Sequence, residues 1–221
     1  MKFFAVIPAY NEEKTVADIV KRAKKYCSVI LVDDGSKDRT AELAKKAGAI
    51  VIEHEENKGY GKSLIDGINE AIKRKSDFII TLDADGQHDP DDIPKFIEAL
   101  RNGYDVVSGS RFISGKSWGT WKRHTAIKLL TYQARLFTGL KLTDIQSGFR
   151  GYNCRIFNKI NLKDKGMGFS VELPIKAKKL GYTFTEVSIN IRKPYEIKTF
   201  WHALKQGIEV GLSIIKHSLF Y

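Results

Sequence analysis

Apolar residues in the first half of the chain fall into short runs separated by amphipathic stretches. Phe3 to Ile7 is a continuous run closed by Pro8, and Ser28 to Val32, Ala49 to Ile52, Phe78 to Leu82 and Asp105 to Ser108 are further short runs. Runs of this length, bounded by turn residues, predict buried strands. Between them the apolar spacing is helical. Val16, Ile19, Val20 and Ala23 form one face, and Leu64, Ile65, Ile68 and Ile72 form another within Gly61 to Lys75. A helix is also predicted from Arg39 to Ala47, with Asp38 as its cap and Gly48 as its stop, and one from Pro90 to Leu100, with Pro90 in the first turn. Strands alternating with helices predict an α/β fold: a mostly parallel sheet with helices on both faces. Ligands in such folds sit at the carboxyl ends of the strands.

The pattern changes after residue 110. Ser114 to Trp121 is a polar loop carrying Trp118 and Trp121. His124 to Leu142 is basic and amphipathic, Ser170 to Leu180 is a second helical segment, Thr183 to Ile191 alternates as a strand, and Thr199 to Ser218 is a last amphipathic helix.

Composition narrows the class. The 221 residues are 43% hydrophobic and 29% charged, which describes a globular chain rather than a disordered one. The net charge of +11 suits an anionic partner: nucleic acid, an anionic membrane or a phosphorylated substrate. Cys27 and Cys154 make neither a CxxC pair nor a zinc spacing, and they predict a reducing, intracellular setting. The apolar start is cut too short by Pro8, Asn11, Glu12 and Glu13 to read as a signal peptide. No stretch reaches the roughly 18 to 20 apolar residues of a spanning helix, so a soluble or peripheral protein is expected.

The strand ends carry the candidate chemistry. Asp83-Ala84-Asp85-Gly86-Gln87 follows a buried strand. Two carboxylates one residue apart make a hard oxygen site that suits Mg2+ or Mn2+ shared with a diphosphate, and Gln87 adds a neutral oxygen. The plainer reading is a solvated acidic turn, which describes Asp89, Asp91 and Asp92 better. Asp33-Asp34-Gly35-Ser36 reads equally as a strand-to-helix turn or as an acceptor for a nucleobase or ribose. Pro8-Ala9-Tyr10-Asn11-Glu12 reads as a helix start, or as a tyrosine and a glutamate suited to a base and a ribose.

These three segments resemble those of the family 2 inverting glycosyltransferases. Gly109-Ser110-Arg111, Asp144-Ile145-Gln146-Ser147-Gly148-Phe149-Arg150 and Gly168-Phe169-Ser170-Val171-Glu172 narrow the resemblance to the dolichyl-phosphate mannose synthase and polyprenyl-phosphate glycosyltransferase group. It runs from about residue 3 to about residue 200 and implies a GT-A, Rossmann-like fold. It also implies one catalytic domain over 1–221: a nucleotide-sugar half (1–112), an acceptor half (113–198) and a C-terminal amphipathic helix (199–221). By the same resemblance, Pro8, Tyr10, Asn11, Glu12, Val32, Asp34, Asp83 and Ala84 contact the donor, and Asp85 and Gln87, with Asp83, hold the metal. Arg111 lies by the reacting phosphates, and Arg192 and Lys198 match the spacing of two later phosphate ligands. The family's Gly-Glu-Ser-Lys becomes Tyr195-Glu196-Ile197-Lys198 here, which weakens the match at Lys198; Arg192 also reads as a surface charge at a strand end.

The implied reaction is metal-dependent transfer of a hexose, mannose from GDP-mannose ahead of glucose from UDP-glucose, to dolichyl or polyprenyl phosphate. A lipid phosphate is already anionic and attacks without a strong base, so catalysis reduces to positioning and charge stabilisation. Asp85, Asp144 and Arg111 are the expected catalytic residues. Asp144 reads equally as a group that orients or deprotonates the acceptor and as the residue that fixes the 147–150 turn. Arg111, Arg123, Ser147 and Arg150 are candidates for the acceptor phosphate. The helices at 124–142 and 199–218, with the tryptophans beside Lys116, Lys122 and Arg123, suit a membrane interface as well as ordinary packing. Many members of the group carry transmembrane helices after the catalytic domain, and this chain stops before them. The expectation is a peripheral enzyme on the cytoplasmic membrane face, with a separate membrane-anchoring subunit as one means of holding it there. The same fold acting on a soluble or glycan acceptor is the alternative. A sugar-1-phosphate nucleotidyltransferase would carry a glycine-rich, arginine-containing loop where Tyr10-Asn11-Glu12-Glu13 stands. A nucleic-acid partner is not expected, since strand-end carboxylates repel phosphates unless a metal intervenes.

Overall fold

Phe3–Ala9 (β1) is buried along its whole length, and its side chains divide by parity. Phe3, Ala5, Ile7 and Ala9 enter one hydrophobic cluster, whereas Phe4 and Val6 enter another. That is the two-residue period of a strand with helices on both sides. Each fully buried Ile or Val here contributes roughly 1.5–3 kcal/mol. The computed structural model describes residues 1–113, 121–192 and 200–219, without the side chains of 121–123 and 200–206.

Around β1 the chain runs through Val16–Ala23 (α1), Ser28–Asp33 (β2), Thr40–Lys46 (α2), Ile50–Glu53 (β3), Tyr60–Lys73 (α3), Phe78–Thr81 (β4), Ile93–Arg101 (α4), Val106–Ser110 (β5) and Trp121–Thr138 (α5). Arg150–Asn153 (β6), Phe169–Lys179 (α6), Phe184–Ser188 (β7) and Phe200–Leu219 (α7) follow. One seven-stranded sheet has the order β3-β2-β1-β4-β6-β5-β7. All pairs are parallel except those of β6, which is antiparallel to both β4 and β5. Val16, Ile19 and Val20 of α1 and Phe96 of α4 pack on one face. Leu64 and Ile68 of α3 and Phe169 and Leu173 of α6 pack on the other. A third cluster joins α5, α6 and α7 through Ala134, Ile175, Val210 and Ile214.

The expected α/β sheet is present, with four differences of detail. The first strand runs through Pro8 to Ala9, in register with Val32 and Asp33. Leu82 donates to the Val6 carbonyl, so Val6 and then Pro8 point toward β4, whose pairing ends at Thr81. Pro8 has no N–H to carry the ladder on, so the pairing of β1 with β4 stops there. The segment from Pro90 splits into a 3-10 turn, Pro90–Asp92, and α4, because the restart lets Pro94 fall in a first turn. The helix after the polar loop ends at Thr138, with Gly139 at φ +67°. Residues 147–153 contain two glycines and read as a turn, yet they lead into a strand. Leu100 lies 3.0 Å from where a Cβ on Gly151 would stand, so glycine is what lets β6 pass under α4.

Burial pushes the Cys27 thiol up to about 12 and that of Cys154 up to about 11. At pH 8 an unperturbed thiol near 8.5 is about one-quarter thiolate, and Cys27 falls to about one part in 10^4. A disulfide thiol reagent at pH 8 is expected to label both cysteines at least a hundredfold more slowly in the native protein than in denaturant. Comparable rates would mean that neither is buried.

Candidate active site

The sheet order reverses direction between β1 and β4, and the crevice at the carboxyl ends of those strands is where an open α/β sheet binds ligands. A cleft of about 340 Å3 lies there. It takes Pro8, Ala9, Tyr10 and Glu12 from the end of β1, Asp34 from β2, Asn57, Tyr60 and Ser63 from the start of α3, and Asp83, Ala84 and Asp85 from the end of β4. Gln146, Gly148, Met167 and Ser170 close the far side. A second depression, about 310 Å3 between α3 and residues 157–162, has only apolar and amide-bearing side chains on its walls, so it offers no acid, base or ion ligand.

Each carboxylate in the cleft has its own support. Asp34 is 4% exposed. Burial opposes its charge, but His54 and the N–H groups of Lys58 and Gly59 outweigh that and hold it below the usual carboxylate range. Gly59 is the N-cap of α3, so Asp34 also sits at the positive end of a helix. Asp83 behaves differently: burial raises it, against opposing effects from the Tyr60 hydroxyl and Arg111. The Tyr60 hydroxyl donates to Asp83 at 2.9 Å. Gly148 backs both groups, since a Cβ there would stand 2.8 Å from the Asp83 carboxylate and from the Tyr60 oxygen. Behind Asp83, burial depresses His88 to about 4, so its neutral ring accepts the Asp83 N–H at 3.4 Å. Asp85 receives the Gln87 backbone N–H at 2.9 Å and the Gln87 side-chain amide at 2.5 Å.

Hard oxygen donors therefore gather at the end of β4, the donor type that suits a hard divalent cation. Among the described residues no three His, Cys, Asp or Glu side chains cluster as a closed metal cage. Two carboxylates without a third fit a cation such as Mg2+, which keeps waters and shares phosphate oxygens.

Several expected residues occupy other positions. Val32 is fully buried against α3 and is not on the cleft wall. Asn11, at φ +55°, braces two loops, its side chain accepting the Lys37 N–H at 2.9 Å while its own N–H meets Ser36. Asp144 is 0% exposed, and Arg111 grips it through Nε at 2.5 Å and Nη2 at 2.7 Å. A general base needs a lone pair that the acceptor can reach, so Asp144 anchors Arg111 instead. Arg150, 1% exposed, gives its guanidinium to the carbonyls of Ser170 and Ile145 and braces the 145–150 turn rather than facing an acceptor. The Ser147 hydroxyl is buried and meets no partner among the described residues. Arg192 is exposed, bonds Asp18 at 2.8 Å and donates its N–H to the Gln87 carbonyl, beside the acidic loop. Lys198 and the Arg123 side chain lie outside the described residues.

Tyr60, Asn57, Gln146 and Met167 line the cleft without having been expected there. The spacing Asn57-Lys58-Gly59-Tyr60-Gly61, two glycines opening a helix, is the signal that points to the first two. Gly59 has φ +99°, and a Cβ on Gly61 would stand 2.4 Å from the Asp164 carbonyl.

Removing one member of a buried ion pair strands the other charge and costs about 3–5 kcal/mol. Arg111→Met is expected to lower the urea midpoint accordingly, and the double variant Arg111→Met/Asp144→Leu to regain most of the loss. A single variant that costs under about 1 kcal/mol would contradict a buried pair.

Comparison with known proteins agrees with this geometry. The sequence profile of glycosyl transferase family 2 matches residues 4–161. An uncharacterized protein of Methanocaldococcus jannaschii is 41% identical over 198 residues, covering 85% of this chain and 80% of its own length. The undecaprenyl-phosphate mannosyltransferase of Micrococcus luteus is 32% identical, over 86% of this chain and 83% of its own. The fold matches that of glucosyl-3-phosphoglycerate synthase from Mycobacterium tuberculosis, crystallised with Mn2+, uridine diphosphate and its product. The TM-score is 0.79 at 18% identity, over 98% of this chain and 80% of that one. With its mostly parallel sheet and acidic strand ends, the chain belongs to glycosyl transferase family 2.

Proposed function

We propose that this enzyme transfers mannose from GDP-mannose, with inversion and with Mg2+ or Mn2+, to a polyprenyl or dolichyl phosphate. The observation that carries the reading is the convergence of Asp34, Asp83 and Asp85 in one cleft with exposed Tyr10 at its rim. The mannosyltransferase relative supports the sugar and the lipid phosphate.

In this reading Tyr10 and Asp34 receive the base and Glu12 the ribose, while Pro8 and Ala84 shape the floor. Asp85, Gln87 and Asp83 hold the cation. When bound, it offsets the charge that builds on the departing diphosphate. Arg192 and Lys198 serve the phosphates at the rim. A lipid phosphate oxygen attacks the anomeric carbon, the bond to the diphosphate breaks, and the diphosphate leaves with the electron pair. The nucleophile is anionic, so no proton has to be removed. Arg111, held rigid by Asp144, presents a guanidinium to the reacting phosphates.

A peripheral position on the cytoplasmic face of the membrane accompanies this acceptor, and a separate membrane-anchoring subunit is compatible with it. No helix among the described residues is long and apolar enough to cross a membrane. Leu129, Tyr132 and Leu136 on α5 and Ile208, Leu212 and Leu219 on α7 are exposed. The α5 sequence holds no acidic residue, and α7 holds one, Glu209, which accepts the Met167 N–H. Apolar stripes flanked by cations and free of anions suit an anionic lipid surface.

Transfer of radiolabel to polyprenyl phosphate in detergent with Mn2+, with GDP-mannose and UDP-glucose run side by side, tests the reaction. Label is expected in lipid from GDP-mannose and is expected to fall at least a hundredfold in Asp85→Ala. Label from UDP-glucose alone would change the donor. Nucleotide release without lipid label would move the acceptor to a soluble molecule. For the membrane, co-flotation with vesicles containing phosphatidylglycerol is expected for the wild type and is expected to be lost in Leu129→Glu/Leu212→Glu. A wild type that stays off such vesicles would refute the peripheral reading.

A further inference from the structure

We infer that His54 is a positioning residue that fixes the Asp34 carboxylate in the orientation needed to accept a hydrogen bond from a nucleobase. The inference rests on the reading of the cleft as a nucleotide-sugar site.

His54 follows β3 directly and is buried, with its N–H on the Asp33 carbonyl at 2.9 Å. Its ring spans two carboxylates: Nδ1 lies 2.8 Å from Asp34 Oδ1, and Nε2 lies 3.0 Å from Asp66 Oδ2. The other Asp66 oxygen accepts from Lys62 at 2.5 Å. A row therefore runs from the cleft wall through β3 to the outer face of α3. An imidazole with a carboxylate at each nitrogen bonds both only when each nitrogen carries its hydrogen. In that state the row Asp34, His54, Asp66 and Lys62 sums to zero charge, with its buried half, Asp34 and His54, a neutral pair.

The oxygens of Asp34 are not equivalent. Oδ1 accepts from His54 and from the Lys58 N–H at 2.8 Å, so both of its lone pairs are used. Among the described residues Oδ2 accepts the Gly59 N–H alone, at 2.9 Å, which leaves one lone pair on a residue that lines the cleft. Rotation about the carboxylate's last torsion is soft and nearly two-fold. The two backbone donors lie at consecutive residues, whereas His54 approaches from a different element. Only the histidine ties the carboxylate to β3 and, through Asp66, to the body of α3.

The two nitrogens of His54 can be separated by substitution. The amide nitrogen of Asn follows Nδ1, and that of Gln follows Nε2. Titration of UDP and of GDP with Mn2+ into wild type, His54→Asn and His54→Gln reads the difference, alongside KM and kcat for the donor. His54→Gln is expected to weaken nucleotide binding about 10–100-fold, the effect of one lost buried hydrogen bond. KM is expected to rise with it while kcat stays within about twofold, because Asp34 holds ground state and transition state alike. His54→Asn is expected to bind within about threefold of wild type, although both variants melt earlier. Equal affinity in His54→Gln and wild type, or equal loss in Asn and Gln, would overturn the proposal while leaving the nucleotide site intact. If neither variant folds, Asp66→Asn decides: about threefold to tenfold weaker binding is expected, and unchanged binding overturns the proposal. A wild type that binds neither UDP nor GDP would overturn the reading of the cleft itself, and this inference with it.

Discussion

The constraint on which the site depends is the cost of holding several carboxylates together out of water. Asp34, at the end of β2, meets Asp83 and Asp85, at the end of β4. Desolvation and mutual repulsion would protonate or disperse them if nothing opposed it. Asp34 is opposed by a helix N-terminus and a histidine. Asp83 has only a tyrosine hydroxyl and a nearby guanidinium, and it stays raised. The difference separates two uses of the same residue type. A carboxylate already satisfied by the protein can accept a hydrogen bond from a neutral ligand, and one left under-compensated favours a cation. Burial and partners, rather than residue identity, give the carboxylates of the cleft different characters.

The same logic explains the depth of Arg111 and Asp144. A guanidinium free in water would sample many rotamers and lose entropy on gripping a phosphate. Pairing Nε and Nη2 with a fully buried carboxylate fixes the plane of the group before any ligand arrives. Arg150 is fixed in a comparable way by two carbonyls, but its fork is spent inside the protein. Both guanidiniums are buried, Arg111 at 6% exposed and Arg150 at 1%, but Arg111 acts on the Asp83 carboxylate of the cleft whereas Arg150 braces the 145–150 turn.

How far the sequence could be read follows from what each signal measures. The apolar pattern reports which segments and faces are buried, so the continuous run at Phe3 to Ile7 and the helical face at Val16 to Ala23 were legible, as was the α/β class. The strand at Arg150–Asn153 was not, because Gly151 serves close packing under α4 and, with Gly148 just before the strand, mimics a turn. The paired aspartates at 83 and 85 were legible because a carboxylate at the end of a buried strand needs a reason. Depth was not: Asp144 and Arg150 look like surface charges in one dimension, and only the packing of α5, α6 and the 140–150 segment puts them inside. His54 sits before Glu55 and Glu56 in a stretch that reads as solvated loop, and its partners are 20 and 12 residues away in opposite directions. Sequence spacing carries no trace of such a row.

The cleft is also connected to the far side of the molecule. The loop at 163–168 reaches it through Met167, and α7 holds that loop from behind. Glu209 accepts the Met167 N–H at 3.0 Å, and the Ser213 hydroxyl donates to Asp164 at 3.1 Å. From the other direction Lys62 gives its N–H to the Lys165 carbonyl at 3.1 Å, one turn from Tyr60 and the Asp83 carboxylate. Glu209 and Ser213 of α7 therefore support the loop at the cleft wall, while the neighbouring stripe of the same helix leaves Ile208, Leu212 and Leu219 exposed. One helix thus joins its exposed apolar stripe to the geometry of the cleft, because a shift of α7 must move the loop or break its hydrogen bonds. A close-packed interior transmits such a shift rather than absorbing it.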